Sequence, residues 1–285
     1  MKTLDAVAVI GVGLLGGSLG LALKKKGLAG RVRGVGHRQS TLDTALALGA
    51  VDEVFLDARA AASDADLIVI CTPAGIVSDK LDEILPYARA DAVVTDVAST
   101  KAAICRHART TWPAPLRFAG SHPMAGSEKF GPEHAFADLY AGCVTVVEKR
   151  TRVHAPDAHE TVCALWRSLG ARVIELEPER HDAIVARTSH TPHIVAACLA
   201  LAADADTEAC PLAGGGFRDT TRIAAGRAEV WRDVCLTNRD AILDALDGLE
   251  GRIQEVIRLI RDGDEKGLED FFRSAQEARK KVLGE

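Results

Sequence analysis

Residues 7–18 read VAVIGVGLLGGS, an apolar run that breaks into Gly11, Gly13 and Gly16. A G-x-G-x-x-G spacing directly after such a run constrains the fold severely. It demands a strand, a tight turn and a helix in immediate succession. Gly11 permits the turn, Gly13 lets the backbone approach a pyrophosphate, and Gly16 lets helix and strand pack closely. The helix start, at Leu14 and Leu15, then offers N–H groups and a partial positive charge to the phosphates. The motif means dinucleotide binding only if a βαβ series follows it.

Such a series does follow. The runs VAVIG, RVRGVG, DLIVICTP, AVVTDV and LRFAG are separated by helix-length stretches. They are apolar throughout rather than alternating, as strands covered on both faces are. CVTVV (143–147) and ARVIEL (171–176) predict two more strands, with a helix near 156–169 between them. After Pro178 the rhythm changes to long helical patterns. Ile242, Leu243, Leu246, Leu249, Ile253, Val256, Ile257 and Ile260 recur at helical spacing. The reading is α/β: a Rossmann-like dinucleotide-binding domain over 1–177, then an all-α domain over 178–285. A helical half of this size with so much apolar surface points to a homodimer through the helices, the alternative being that they pack only on each other and on the sheet.

Composition removes several other classes. The 285 residues are 47% apolar and carry a formal charge of −5, with no basic stripe to attract nucleic acid. No apolar run reaches the roughly 20 residues that span a bilayer. The N-terminus, MKTLDAVAVIG, contains an acid and runs straight into the glycine motif, unlike a signal peptide. Seven scattered cysteines without a C-x-x-C pair argue against disulfides or a thiolate metal site. They read as small buried hydrophobes in a cytoplasmic protein.

The second strand bears on the cofactor. NAD-binding units carry an acid about 20 residues past the glycines, for the ribose 2′-OH. Here Gly36 stands there, followed by His37 and Arg38. No carboxylate repels a 2′-phosphate, and Arg38 can pair with one, so NADP is favoured and NAD left open. Thr72 and Pro73 after the third strand, and Asp96, Ser99 and Lys101 after the fourth, fall at the carboxyl edge of the sheet, where a cofactor lies. The run SHPMAGSE reaches the same edge.

Five motifs occur in order: G-x-G-L-x-G-G-S-L, D-x-x-S-x-K, H-P-M-A-G-S-E, S-H-x-P-H and G-G-G-F-R-D-x-T-R-I-A. Together they resemble the prephenate and arogenate dehydrogenases of tyrosine biosynthesis, from about Val7 onward, with no mutase or regulatory domain appended. The resemblance implies an oxidative decarboxylation, in which hydride leaves a ring alcohol carbon, the hydroxyl loses a proton and CO2 departs. A proton acceptor with a pKa near neutrality is needed, and a histidine suits it. His122 matches the family's catalytic histidine. Ser99 matches the serine that orients this histidine or the substrate hydroxyl. Arg222 matches the substrate-binding arginine, with the bidentate geometry a carboxylate favours. His193 matches a second active-site histidine, and His190 lies three residues before it. Glu128 is expected to position the substrate side chain or gate its entry. Gly214 to Gly216 permit close backbone approach, so Gly216 is included, and Trp231 matches a tryptophan near the pocket. Arg218 reads as a surface residue paired with Asp219. His37, apart from its place beside the cofactor, and His107, His134, His154, His159 and His181 read as surface residues. No ligand cluster suggests a metal.

Two rival readings keep the glycine loop. One is another two-domain dehydrogenase, of the hydroxyacid or imino-acid type, expected to use a helical lysine as acid/base. The other is an NADP-binding redox sensor without turnover, which has no reason to carry His122, His193 and Arg222 together.

Overall fold

The first strand carries Val7 and Val9 on one side and Ala8 and Ile10 on the other, all buried, because helices cover both faces of the sheet. The computed structural model describes residues 3–126, 129–205 and 210–285. Five parallel strands form the main sheet: β1 (Leu4–Ile10), β2 (Ala29–Val35), β3 (Glu53–Phe55), β4 (Leu67–Ile70) and β5 (Val93–Asp96), in spatial order β3-β2-β1-β4-β5. The helices between them are α1 (Leu14–Lys25), α2 (Gln39–Ala47), α3 (Ala58–Ala62) and α4 (Val77–Ile84). The order reverses at β1, and ligands of such sheets bind at that switch point. β3 was not anticipated. Three residues are too few to show a period.

After α5 (Ala102–Thr111) comes the segment expected as the strand LRFAG. It is not one: Phe118 makes only an isolated parallel bridge to Val94. The chain then changes neighbour. β6 is Ser121–Pro123, antiparallel to β7 (Val144–Glu148), and β7 runs parallel to β8 (Arg172–Leu176). Too few residues pair with β5 for a strand to form there. His122 therefore lies on a strand rather than after one. The helix between the last two strands is α6 (Pro156–Ser168), as the sequence predicts.

The remaining elements are helical: α7 (Pro178–Val185), α8 (Thr191–Asp204), α9 (Gly215–Thr221), α10 (Ala228–Thr237), α11 (Arg239–Asp262) and α12 (Glu265–Leu283). A π turn, Ala186–His190, joins α7 to α8. Pro192 opens α8, and the wider turn before it accommodates the proline ring. The chain packs as two compact units, Met1–Arg239 and Asp240–Glu285. The first helices after residue 177 thus belong with the sheet. Among the described residues, no helix is long and apolar enough to cross a membrane.

Three of the histidines read as surface residues are buried: His154, His159 and His181. His154 Nδ1 accepts the Thr151 N–H at 2.9 Å, and His159 donates from Nε2 to the Glu148 carbonyl at 2.8 Å. Both brace the end of β7, where Glu148 accepts the Gly120 N–H at 3.1 Å and pairs with Arg109. His37 and His134 are exposed, and His107 is half-buried against Asp82. Cys105 and Cys163 are buried, but Cys198 is exposed on α8, so it is no core hydrophobe.

Candidate active site

The glycine loop has the geometry its spacing predicts. Gly11 adopts φ +102°, and a Cβ there would lie 2.8 Å from the Cys71 carbonyl oxygen. A Cβ on Gly16 would lie 2.0 Å from the Gly11 oxygen. Gly13 differs: its Cβ would meet nothing within 4 Å. The protein packs tightly around two glycines and leaves open space over the third, as the close approach of a phosphate to the backbone requires. No acid occupies the first turn of α1 to oppose it. Next to Gly11, Thr72 Oγ1 is buried without a partner, as a hydroxyl kept for a ligand would be. These residues fit a dinucleotide. Leu14 and Leu15 open α1, Pro73 is exposed beside Thr72, and His37 and Arg38 are exposed where β2 gives way to α2.

Asp96 departs from expectation. It is 0% exposed and ion-paired with Lys101, itself 1% exposed. Its carboxylate also accepts the N–H groups of Ala98 (3.0 Å) and Ser121 (3.1 Å). A cofactor cannot reach this carboxylate, which instead organises the loop after β5 and the start of β6. Burial raises its pKa, and the Lys101 charge opposes that rise. Ser99, in the same loop, is half-buried.

His122 meets the helical residues directly. Its Nδ1 lies 2.9 Å from His181 Nε2, and His181 Nδ1 lies 2.7 Å from Asp182 Oδ1. The Asp182 carboxylate also accepts the backbone N–H groups of Lys101 and Ala102, each at 2.8 Å. Burial, aided by the neighbouring charges of His181, Lys101 and His190, holds the His122 imidazole well below its ordinary value. The imidazole is therefore held in the neutral form that can accept a proton, and is a weaker base than the near-neutral acceptor expected from the sequence. The loop after it reaches α1: a Cβ on Gly126 would touch Leu15, Phe136 N–H donates to Ser18 Oγ, and Tyr140 Oη donates to the Leu15 carbonyl.

His190 is 1% exposed. Its Nδ1 faces Asn238 Nδ2 at 3.1 Å, and its Nε2 has no partner. Burial lowers its pKa to about 4. The His193 ring stacks on Trp231 at 3.7 Å and donates from Nδ1 to the Ser189 carbonyl. Burial lowers its pKa too, and the Arg222 charge contributes. Trp231 also meets the His190 ring edge-on, so one indole supports both imidazoles. Arg222 is exposed, and open space surrounds Gly214 to Gly216. Arg218 donates to the Ala213 carbonyl rather than to Asp219. Glu128 lies outside the described residues. Helical residues close on the sheet edge at two further points: Asp233 stands against Gly75, and the hydroxyls of Thr100 and Thr237 lie 2.9 Å apart.

Sequence reasoning missed Asp182 and Asn238, read His181 as a surface residue, and placed Lys101 at the sheet edge without its buried pairing to Asp96. The only available signal was H-D one turn after Pro178, and S-x-K already sat inside a recognised motif. The cavities of about 370 and 260 Å³ around Arg150 hold none of the expected site residues.

Two family models account for most of the chain. The nucleotide-binding domain of prephenate dehydrogenase matches residues 19–175, and the prephenate dehydrogenase dimerization domain matches residues 177–274. The chain belongs to the prephenate dehydrogenase family. A prephenate dehydrogenase of Bacillus subtilis is 32% identical over 280 residues, covering 96% of this chain and 75% of the relative. Among solved structures, the Aquifex aeolicus prephenate dehydrogenase with hydroxyphenyl propionate and NAD+ is 28% identical, with a TM-score of 0.90 and 98% of each chain covered. Synechocystis arogenate dehydrogenase is 30% identical, with a TM-score of 0.82, covering 97% of this chain and 99% of that one.

Proposed function

We propose that this chain oxidatively decarboxylates prephenate, arogenate or both, using His122 as the proton acceptor. A bound nicotinamide dinucleotide would supply the hydride acceptor, and loss of CO2 completes the aromatic ring. Gly11, Gly13, Gly16 and the N–H groups of Leu14 and Leu15 would hold its phosphates, with Thr72 and Pro73 alongside. His122 takes the hydroxyl proton, and Ser99 orients that hydroxyl. Arg222 pairs with a substrate carboxylate, while His193 and His190 supply hydrogen bonds. Glu128, Gly216 and Trp231 complete the substrate side. The observation that carries this reading is the neutral, half-buried His122, anchored through Nδ1 and followed by a loop that packs on the start of α1. Purified protein mixed with NADP or NAD and either substrate should form reduced cofactor, read by absorbance. No signal in any of the four mixtures sinks the proposal.

Arg222→Ala should raise KM about 10- to 100-fold with a smaller change in kcat, the size of a charge-assisted hydrogen bond to a carboxylate. An unchanged KM removes Arg222 from the site. Exposed Arg38, with no acid at Gly36, supports a preference for NADP. Arg38→Ala should then lower kcat/KM for NADP about tenfold or more and spare NAD. A wild-type preference for NAD overturns this assignment.

We place the division of labour at residues 177 and 178, with cofactor groups before it and carboxylate anchors after it. Self-association through the helical half is supported by exposed Leu199 and Leu201 on α8, and by exposed Ile253, Ile257 and Phe272 further on. A monomer mass by sedimentation at micromolar concentration would exclude it.

A further inference from the structure

Two hydrogen-bonded chains meet at Asp182, and donor logic fixes the proton positions along both. Asp182 Oδ1 already accepts the Lys101 N–H, and a carboxylate only accepts. His181 must therefore carry its proton on Nδ1, leaving Nε2 bare. That bare nitrogen faces His122 Nδ1 at 2.9 Å, so His122 carries its proton on Nδ1 and leaves its own Nε2 bare. The second chain starts from the Asp182 carbonyl, which accepts Asn238 Nδ2 at 2.9 Å and so fixes that amide as a donor. The same amide nitrogen faces His190 Nδ1, which must accept. His190 then holds its proton on Nε2, a buried donor with no protein partner.

We propose that Asp182, His181 and Asn238 form a positioning unit that sets two histidines in opposite senses, His122 to receive a proton and His190 to give a hydrogen bond to a substrate oxygen. The inference rests on His122 being the proton acceptor. As the substrate hydroxyl proton reaches His122 Nε2, the proton on Nδ1 passes to His181 Nε2. One proton enters the chain, one moves along it, and the resulting imidazolium lies against the Asp182 carboxylate. The charges facing His122 are those of Lys101, His181 and His190, all of which oppose its protonation. Asp182 answers them through His181, while Asp96 is committed to Lys101.

The tautomers are readable without turnover. In full-length protein with 15N-labelled histidine near neutral pH, NMR should show His122 protonated on Nδ1 and His190 on Nε2, with His122→Asn and His190→Asn spectra assigning the signals. A His122 proton on Nε2, or a His190 proton on Nδ1, overturns the proposal. In kinetics, His181→Leu should lower kcat about 10- to 100-fold, the size of one hydrogen bond to a charged group, with KM nearly unchanged. His181→Gln, whose Oε1 accepts from His122 but cannot take its proton, should recover part of that loss. An unchanged kcat in His181→Leu, or a glutamine variant no better than the leucine one, also overturns it. Should the wild-type protein turn over neither substrate, the catalytic reading falls, and the NMR spectra still decide the tautomers.

Discussion

His122→Asn lowers kcat by about 10²–10⁴-fold, the usual loss when a general base is removed. Asparagine can keep a hydrogen bond to His181 but has no group that takes a proton near neutrality. Dinucleotide affinity should stay within about twofold, because the glycine loop is shaped by contacts His122 does not make. Gly11 is pressed on Cys71, and Gly16 on Gly11. Steady-state kinetics and a fluorescence titration with the dinucleotide separate the two effects. If kcat barely moves, the proton goes elsewhere. The wild-type pH profile adds a check. A depressed imidazole stays neutral as pH falls, so the acid limb of the activity should lie below the ordinary histidine value of 6.5. A limb above that value contradicts the electrostatics of the site.

Lys101→Met should cost about 3–5 kcal/mol of stability, the usual result of stripping one partner from a buried ion pair. The substitution roughly preserves side-chain length, so the charge is the main thing lost. Asp96 is then left in the interior with only the N–H groups of Ala98 and Ser121 to stabilise it. Its pKa, already raised by burial, rises further without the ammonium. Urea unfolding followed by tryptophan fluorescence measures the loss. Trp112, Trp166 and Trp231 all lie in the unit Met1–Arg239, so the signal reports the unit that contains the pair. A loss under about 1 kcal/mol would mean that water reaches the carboxylate once the lysine is gone.

Local patterns carried most of the fold. The glycine loop and the longer apolar runs read correctly because strand, turn and helix each follow from a few adjacent residues. β3 and the segment leading into β6 did not, because short strands draw their identity from neighbours far along the chain. The site divides in the same way. His122, His193 and Arg222 stood out through motifs. His181 could not, since its role comes from a contact across 59 residues of sequence. Asp96 shows another limit. Its place at the end of β5 was legible, but the inward turn of its side chain depends on Lys101 and Ser121.

The hand-over from β5 to β7 leaves His122 on a very short strand, where sliding by one position would swing the imidazole to the opposite face. Ser121 stops the slide. Its hydroxyl donates to the Asp96 carbonyl at 2.6 Å and accepts from Trp166 Nε1 at 2.9 Å, while its N–H is held by the Asp96 carboxylate. This rivet lies just past the exposed stretch Pro113–Pro115. Residues gained or lost in that stretch are taken up before the chain reaches the serine, so the connection can vary in length without re-aiming the base.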